Sequence, residues 1–263
     1  MTRFEALFMS QIVLANNVHA ATRDVSARQR VGVTTKYVRR ADDKGWLGFR
    51  PMFSHEASFI YLCEYTKLVM VKASEKYAHF QVKDGNSGFI GKEVALSHRN
   101  VPLYLSDIGP EKNAATIRVK YANLETGVRS EIKNFAFTQQ WAVAEFSGIS
   151  ARVTLNSVWG RAFTPIAPGR HRIMAPDFSH AEVDTSGYRA AYPGKIICTD
   201  VWFPIALEGT ETNSTRYIHI GHVSEGCVTL YELIKWNALY EYLINKRVPG
   251  AQGKFVGYLI VEQ

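Results

Sequence analysis

The chain has 263 residues, enough for one large domain or two modest ones, and 46% of them are apolar against 21% charged. This balance excludes a disordered chain and predicts a globular protein with a buried core. The net charge of +7 favours an anionic partner, such as an anionic membrane or a bacterial cell wall, but the basic residues are scattered, which argues against nucleic acid.

Residues 1–45 are predicted to form a helical or irregular N-terminal segment. Its beginning, MTRFEALFMSQIVLANNVHAAT, has the early cation and the closing alanines of a signal peptide. However, Glu5 precedes the short apolar stretch and Ser10 and Gln11 interrupt it, which favours an amphipathic helix. The sequence lacks an apolar run of about eighteen residues, so no membrane span is expected.

Residues 46–100 change character and read as a small β-rich domain. The turn signal Asp84–Gly88 is followed by extended Phe89-Ile90. The stretch KYAHFQVKDGNSGFIGKEVAL resembles the end of a bacterial SH3-like barrel, a module that often accompanies cell-wall enzymes. The alternative is an ordinary hairpin without a binding role. The strands are predicted at Phe59–Tyr65, Lys67–Lys72 and Tyr77–Lys83.

Residues 99–111 contain Pro102, Gly109 and Pro110 and are predicted to be a linker. The chain beyond them is β-rich, with turn residues at the intervals of a β-sandwich. One amphipathic helix is predicted in this half, at Leu230–Asn245, from apolar residues at three- and four-residue spacing.

Cys63, Cys198 and Cys227 are an odd number of cysteines without CxxC spacing, which argues against a disulfide framework or a structural zinc site. Cys63 and Cys198 lie in apolar, strand-like runs and are predicted to be buried, inert thiols. No metal and no organic cofactor are expected.

Cys227 differs because it lies in the stretch Arg216–Leu230, RYIHIGHVSEGCVTL. Strand-type residues surround His219, a glycine-containing loop carries His222, and Cys227 follows the loop directly. A thiol on such a loop becomes nucleophilic when a nearby imidazole takes its proton. The stretch therefore predicts a cysteine nucleophile.

The order of residues separates the families of cysteine enzymes. A papain-like enzyme needs a histidine downstream of its cysteine, and none follows Cys227. A chymotrypsin-like enzyme has its histidine far upstream and a glycine after the cysteine, where this chain has Val228.

YIHIGHVSEGCVTL instead resembles the catalytic motif of the YkuD-type L,D-transpeptidases, an extended "hHxG" piece followed by "S/T-x-G-C". RAFTPIAPGRHRI, at 161–173, resembles that family's "TPxGxaxxI" strand and turn. The resemblance covers roughly residues 112–263 and implies a YkuD-type β-sandwich. Two departures, a shorter loop before the cysteine and Ser224-Glu225-Gly226-Cys227 in place of SHGC, indicate a short-loop branch of the family.

The resemblance implies a role for each matching residue. Cys227 is the nucleophile and His219 the general base, while Ser224 shapes the loop. The backbone N–H groups of Gly226 and Cys227 bind the oxyanion. His222 competes with His219 as the base, although it lies on a loop where a solvated histidine is common.

Five further residues are weaker candidates. Glu225 either steers an amine acceptor by its charge or faces solvent. His171 and His180 are expected at the surface or satisfied, with His180 the better placed to line a cleft. Trp202 and Phe203 are expected in the core, with a groove-lining role as the alternative.

Together these features predict a two-part, mainly β protein: a small SH3-like barrel followed by a YkuD-type β-sandwich at 112–263. The implied activity is L,D-transpeptidation or L,D-carboxypeptidation of peptidoglycan stem tetrapeptides in the bacterial cell envelope. The doubtful export signal leaves three hypotheses open: an effector delivered by a secretion machine and paired with an immunity protein, a phage-borne lytic or tail-associated enzyme, and an ordinary envelope enzyme whose Met1–Ala20 acts as a signal peptide. The alternatives are a wall-binding module with a relic cysteine site and a cysteine peptidase that acts on proteins.

Overall fold

Strands dominate the structure, as the β-branched and aromatic runs of the sequence favour. The computed structural model describes residues 34–53, 58–130, 132–160, 162, 164–183 and 185–263. This part of the chain contains fifteen strands, three α-helices and one 3₁₀ turn. The prediction of a mainly β protein is therefore confirmed.

The first seven strands form one antiparallel sheet in the order β3-β2-β6-β5-β4-β1-β7. They are β1 (Thr35–Val38), β2 (Trp46–Pro51), β3 (Ile60–Cys63), β4 (Lys67–Ala73), β5 (Tyr77–Val82), β6 (Glu93–Ser97) and β7 (Leu105–Ser106), with a short helix α1 (Val101–Tyr104) before the last.

This sheet extends beyond the predicted limits of 46–100 on both sides. β1 lies within the segment predicted to be helical or irregular, and β7 lies within the predicted linker. Both were missed because each is short and pairs with a strand distant in sequence. The predicted amphipathic helix at the N-terminus falls within residues 1–33, outside the described residues.

The remaining eight strands close into a barrel in the order β10-β14-β13-β12-β11-β15-β8-β9. They are β8 (Ala115–Arg129), β9 (Ala136–Phe146), β10 (Ile149–Asn156), β11 (Gly169–Met174), β12 (Phe203–Ala206), β13 (Arg216–Ile220), β14 (Val228–Leu230) and β15 (Phe255–Glu262).

The barrel replaces the predicted β-sandwich. Two parallel pairings, β13 with β14 and β15 with β8, complete a wall whose other pairings are antiparallel. Closure depends on the pairing of β8 with β15, which joins the two ends of this half of the chain. Turn spacing reports only local hairpins and cannot distinguish an open sandwich from a closed barrel.

In the described part of residues 112–263, two α-helices accompany the barrel, where the sequence predicted one. α2 (Ser186–Ala191) lies in the long connection before β12, and α3 (Trp236–Ile244) follows the 3₁₀ turn Leu233–Lys235. The predicted helix began at Leu230, but that residue belongs to β14. No helix among the described residues has both the length and the apolar character needed to cross a bilayer.

The barrel core is shared with the first sheet. Trp46 and Cys63 of the sheet pack into the same cluster as the barrel residues Phe203, Leu230 and Trp236. A second cluster, around Phe49 and Phe80, lies within the sheet itself. Thr35–Gln263 accordingly form one compact unit.

Candidate active site

Parallel strands β13 and β14 place the predicted nucleophile and base on the same side of the barrel wall. Their register pairs Ile218 with Val228 and His219 with Thr229. Ile218 and Val228 are buried in the barrel core, so the alternating residues point outward. The outward set consists of Tyr217, His219, Thr229 and, directly before β14, Cys227.

A cleft of about 550 Å³ opens on this outer face, and both Cys227 and His219 line it. Its other described walls are mostly aromatic and aliphatic, with Lys133 and Glu225 as the charged members. Such a mixture of apolar walls with a few polar groups is typical of a small-molecule or peptide site. The aromatic members are Phe135, Phe137, Tyr188, Trp202 and Tyr217.

The imidazole of His219 is held in one orientation by two hydrogen bonds. Nδ1 lies 2.9 Å from the carbonyl oxygen of Ile220, and Nε2 lies 3.0 Å from Oγ1 of Thr229. Because a carbonyl oxygen only accepts, Nδ1 must carry the proton. Burial lowers the pKa of His219 to about 4, so at neutral pH Nε2 has a free electron pair and the Thr229 hydroxyl donates to it.

Cys227 is 7% exposed, and its thiol is protonated at neutral pH. Burial raises its pKa to about 11, outweighing the lowering effects of the Tyr217 backbone and of the Arg216 charge. The negative charge of Glu225 raises the pKa further. Cys227 and His219 are therefore both neutral at neutral pH.

The loop before Cys227 is held in place by hydrogen bonds to the side chains of Ser224, Ser157 and Asn156. Ser224 Oγ accepts a hydrogen bond from the Cys227 N–H at 3.0 Å and donates to the Cys227 carbonyl at 2.9 Å. The Ser224 N–H donates to Ser157 Oγ at 2.9 Å, and the Gly226 N–H donates to Asn156 Oδ1 at 3.1 Å. The loop shape thus depends on Ser224 and on the end of β10.

These bonds correct the expected oxyanion site. The N–H groups of Gly226 and Cys227 were predicted to bind the oxyanion, but each already donates to a side-chain oxygen. Both groups are buried, and a buried amide without a partner would cost about 1–3 kcal/mol, so the fold satisfies them internally. They become oxyanion donors only if Asn156 and Ser224 release them.

Gly226 is required by backbone conformation and by close packing. Its φ of +79° lies in the left-handed region that favours glycine. A Cβ at this position would lie 2.6 Å from the Thr164 carbonyl oxygen and would overlap the guanidinium of Arg216. That guanidinium donates to the carbonyl oxygens of Thr164 and Gly226, the latter at 2.8 Å, and joins the loop to the segment before β11.

His222 is buried, so the expectation of a solvated loop histidine is wrong. Its Nδ1 lies 2.7 Å from Ser130 Oγ, and its ring stacks on Tyr231 with centroids 4.0 Å apart. Burial lowers the pKa of His222 to about 4. His222 is not among the described residues that line the cleft, whereas His219 is.

Of the five weaker candidates from the sequence, some line the cleft and others are buried away from it. Trp202 and Glu225 line the cleft, whereas Phe203 is buried in the barrel core. His171 is satisfied by Ala167 and Glu208, as expected. His180 is buried and stacks on Trp202, with centroids 4.3 Å apart.

Sequence analysis missed Asn156, Ser157 and Thr229 as parts of the site. Thr229 lies within the analysed stretch, and its register opposite His219 could have been suspected from the alternation of the two strands. Asn156 and Ser157 lie about seventy residues before the loop that they fasten, and no local pattern connects them to it.

Comparisons of this chain with protein-family models, curated proteins and solved structures found no match. Among the described residues, no group of three or more His, Cys, Asp and Glu side chains is arranged to hold a metal ion. Function is therefore inferred from the motifs and from the geometry of the cleft.

Proposed function

We propose that this protein is a cysteine-dependent L,D-transpeptidase or L,D-carboxypeptidase that acts on peptidoglycan stem tetrapeptides. The observation that carries the proposal is that Cys227 and His219 line one cleft and project from the same face of adjacent strands. The motif resemblance supplies the substrate class, and the site supplies an acyl-transfer pair.

The first chemical step moves the proton of Cys227 Sγ to Nε2 of His219. The thiolate then attacks the carbonyl before the terminal D-residue, the C–N bond breaks, and the leaving amine takes the proton from the imidazolium. The product is a thioester on Cys227. An amine from a second stem or a D-amino acid, or water, then gives up a proton to His219 and attacks the thioester. The C–S bond breaks, and the departing thiolate takes the proton back from the imidazolium, which restores the thiol.

His219 suits the base role because its tautomer is fixed. The Ile220 carbonyl holds the proton on Nδ1, so that Nε2 is the nitrogen available to the thiol. The Thr229 hydroxyl has to turn away from Nε2 before the transfer. Its rotation is a small rearrangement, because a hydroxyl hydrogen has no fixed direction.

The cleft also supports an acyl-transfer reaction with an amine acceptor. Glu225 lies beside the cysteine, where a carboxylate attracts a cationic amine. Lys133 provides the opposite charge for a carboxylate of a stem peptide.

Incubation with purified disaccharide tetrapeptide, followed by mass analysis, tests the proposal. Loss of one D-alanine, gain of a crosslink or exchange of a D-amino acid would each assign the reaction. Cys227→Ala should abolish all three products. Cys198→Ala is the matched control, since it removes a buried thiol outside the described lining of the cleft, and it should retain them.

Two results would overturn the proposal. Cleavage of a protein substrate without any change in the tetrapeptide would identify a protein peptidase. Wall binding that survives Cys227→Ala, with every phenotype retained, would identify a binding module with a relic site.

The proposed substrate lies in the bacterial cell envelope, and two routes would bring the protein there: delivery as an antibacterial effector through a secretion machine, or export by a cleaved signal peptide. Sequencing the N-terminus of the secreted protein tests the delivery route. A start at Met1 is expected for an effector. A start near Ala21 would instead show a cleaved signal peptide and an ordinary envelope enzyme.

A further inference from the structure

Trp202 lies flat between two imidazoles on the outer wall of the barrel. Its ring centroid is 4.1 Å from that of His219, with the planes 17° apart. On the opposite face, His180 stacks at 4.3 Å with the planes 9° apart. Phe178 continues the series, with its centroid 4.4 Å from that of His180.

The indole is itself fixed in place. Its Nε1 donates to the carbonyl oxygen of Thr199 at 3.0 Å, and the ring of Tyr217 meets it edge-on at 5.7 Å. Trp202 therefore presents one face to His219 in a constant geometry. A flexible apolar side chain at this position would fill the volume without providing that face.

We propose that Trp202 is a positioning residue that stabilises the imidazolium form of His219 during acyl transfer. The inference uses one element of the proposed function, the role of His219 as the base. It assigns to the indole a task that neither the motif nor the hydrogen bonds of His219 account for.

The electrostatic reason is the change of charge during proton transfer. A neutral thiol and a neutral imidazole become a thiolate and an imidazolium, and the imidazolium has little solvent around it. A cation within about 6 Å of an indole centroid gains about 0.5–2 kcal/mol, most when it is desolvated. The centroid separation of 4.1 Å lies within that range.

Other charged and titratable groups near His219 do not provide the same help. His180 lies beyond the indole, and a positive charge there lowers the pKa of His219. Asp177 lies 3.6 Å from His180 Nε2 and so acts on the farther imidazole. Lys133 and Glu225 line the cleft with opposite charges, and the Tyr217 phenol is neutral at neutral pH because burial raises its pKa.

An NMR titration of the His219 ring tests the inference without any peptidoglycan substrate. If the indole stabilises the imidazolium, Trp202→Leu should lower the pKa of His219 and weaken proton binding about two- to thirtyfold. Trp202→Phe, which keeps an aromatic face, should lie between the wild type and Trp202→Leu.

His222 provides the control for a purely structural role, because burial lowers its pKa to about 4 as well but its ring stacks on Tyr231. Trp202→Leu should leave the pKa of His222 unchanged. An unchanged or raised pKa of His219, or an equal fall at both histidines, would overturn the inference.

Fluorinated tryptophan provides a second test should Trp202→Leu fold poorly. Fluorination weakens the electrostatic attraction of the indole face with little change of shape, so the pKa of His219 should fall in steps as fluorine is added. The chain has five tryptophans, and the same labelling in Trp202→Phe controls for the other four. An equal fall in that variant would contradict the inference.

The two proposals fail separately. An unchanged tetrapeptide, with the predicted fall in the pKa of His219, would remove the proposed function and leave the electrostatic role of Trp202 intact. Turnover of the tetrapeptide, with a pKa of His219 that does not change in Trp202→Leu, would remove the role of Trp202 and leave the proposed function intact.

Discussion

At the residue scale, the chemistry of the cleft depends on two groups whose pKa values burial moves in opposite directions. The thiol of Cys227 has a pKa raised to about 11, and the imidazole of His219 has one lowered to about 4. Both groups are neutral at neutral pH. The proposed acyl transfer therefore requires a proton to move from Cys227 to His219 after a substrate binds.

The first prediction concerns the reactivity of the three cysteines. Because the Cys227 thiol lines the cleft, it should be the first to be alkylated, and its rate should rise with pH up to about pH 11 as the thiolate forms. Burial raises the pKa of Cys63, and that of Cys198 to about 12, so both should react only on unfolding. Peptide mapping after timed alkylation measures the three rates. Equal rates for all three, or full reactivity of Cys227 at neutral pH, would contradict the burial argument.

The second prediction separates the two histidines of the motif. His219→Gln should reduce product formation from tetrapeptide about 10²–10⁴-fold, the usual contribution of a general base. His222→Gln should change it by less than about threefold, because its ring contacts Ser130 and Tyr231 rather than reacting atoms. Steady-state rates of the two folded variants make the comparison. A larger loss for His222→Gln would reassign the base.

At the scale of elements, the loop 221–227 determines where the thiol lies, and Gly226 is its tightest point. Gly226 and Gly148 share nearly the same φ, +79° and +77°, but a Cβ added at Gly226 would meet neighbouring atoms, whereas one added at Gly148 would meet none within 4 Å. Gly148 belongs to the turn between β9 and β10. The pair therefore isolates steric crowding from backbone strain.

The third prediction uses this pair. Gly148→Ala should cost about 1–2 kcal/mol of unfolding free energy, the penalty for a left-handed alanine. Gly226→Ala should cost about 1–3 kcal/mol more, because the Thr164 carbonyl cannot move as freely as a side chain. Denaturant unfolding curves of both variants give the difference. Equal losses of unfolding free energy in the two variants would show that the neighbours of Gly226 move aside without a measurable energetic cost.

Local sequence patterns predicted some of these elements but not those that depend on pairing between distant strands. β13 and the cysteine loop were predicted because RYIHI and the glycines are local signals, and α3 was found from its apolar spacing, although its start was placed too early. Closure of the barrel, β1 and β7 were not predicted, since each depends on pairing between distant strands. The same reason explains Asn156 and Ser157, whose contacts with the loop exist only after the barrel closes.

At the scale of the whole molecule, the first sheet and the barrel share a core rather than forming two independent domains. Trp46 and Cys63 pack into the barrel cluster, and the Tyr240 hydroxyl of α3 donates to Glu64 at 2.7 Å. The backbone N–H of Cys198 donates to the Asp43 carbonyl at 2.5 Å and adds a further link between the two parts. The first sheet therefore packs against the barrel that carries the candidate site and contributes residues to its core.

The fourth prediction follows from this shared core. A fragment of residues 112–263 should lose the cooperative unfolding transition of the full chain, because removal of the sheet exposes apolar surface that Trp46 and Cys63 cover. A fragment of residues 35–263, which keeps the whole unit, is the control and should retain the transition. Thermal unfolding followed by circular dichroism compares them. Native-like melting of the shorter fragment would show that the barrel folds alone.

The most direct measurement is the intact mass of the protein during reaction with purified tetrapeptide. The proposed mechanism predicts a transient mass increase equal to the mass of the donor minus that of the released D-amino acid, located on the peptide that contains Cys227 and missing in Cys227→Ala. An unmodified Cys227 and an unchanged tetrapeptide, in folded protein whose Cys227 still reacts with iodoacetamide, would contradict it.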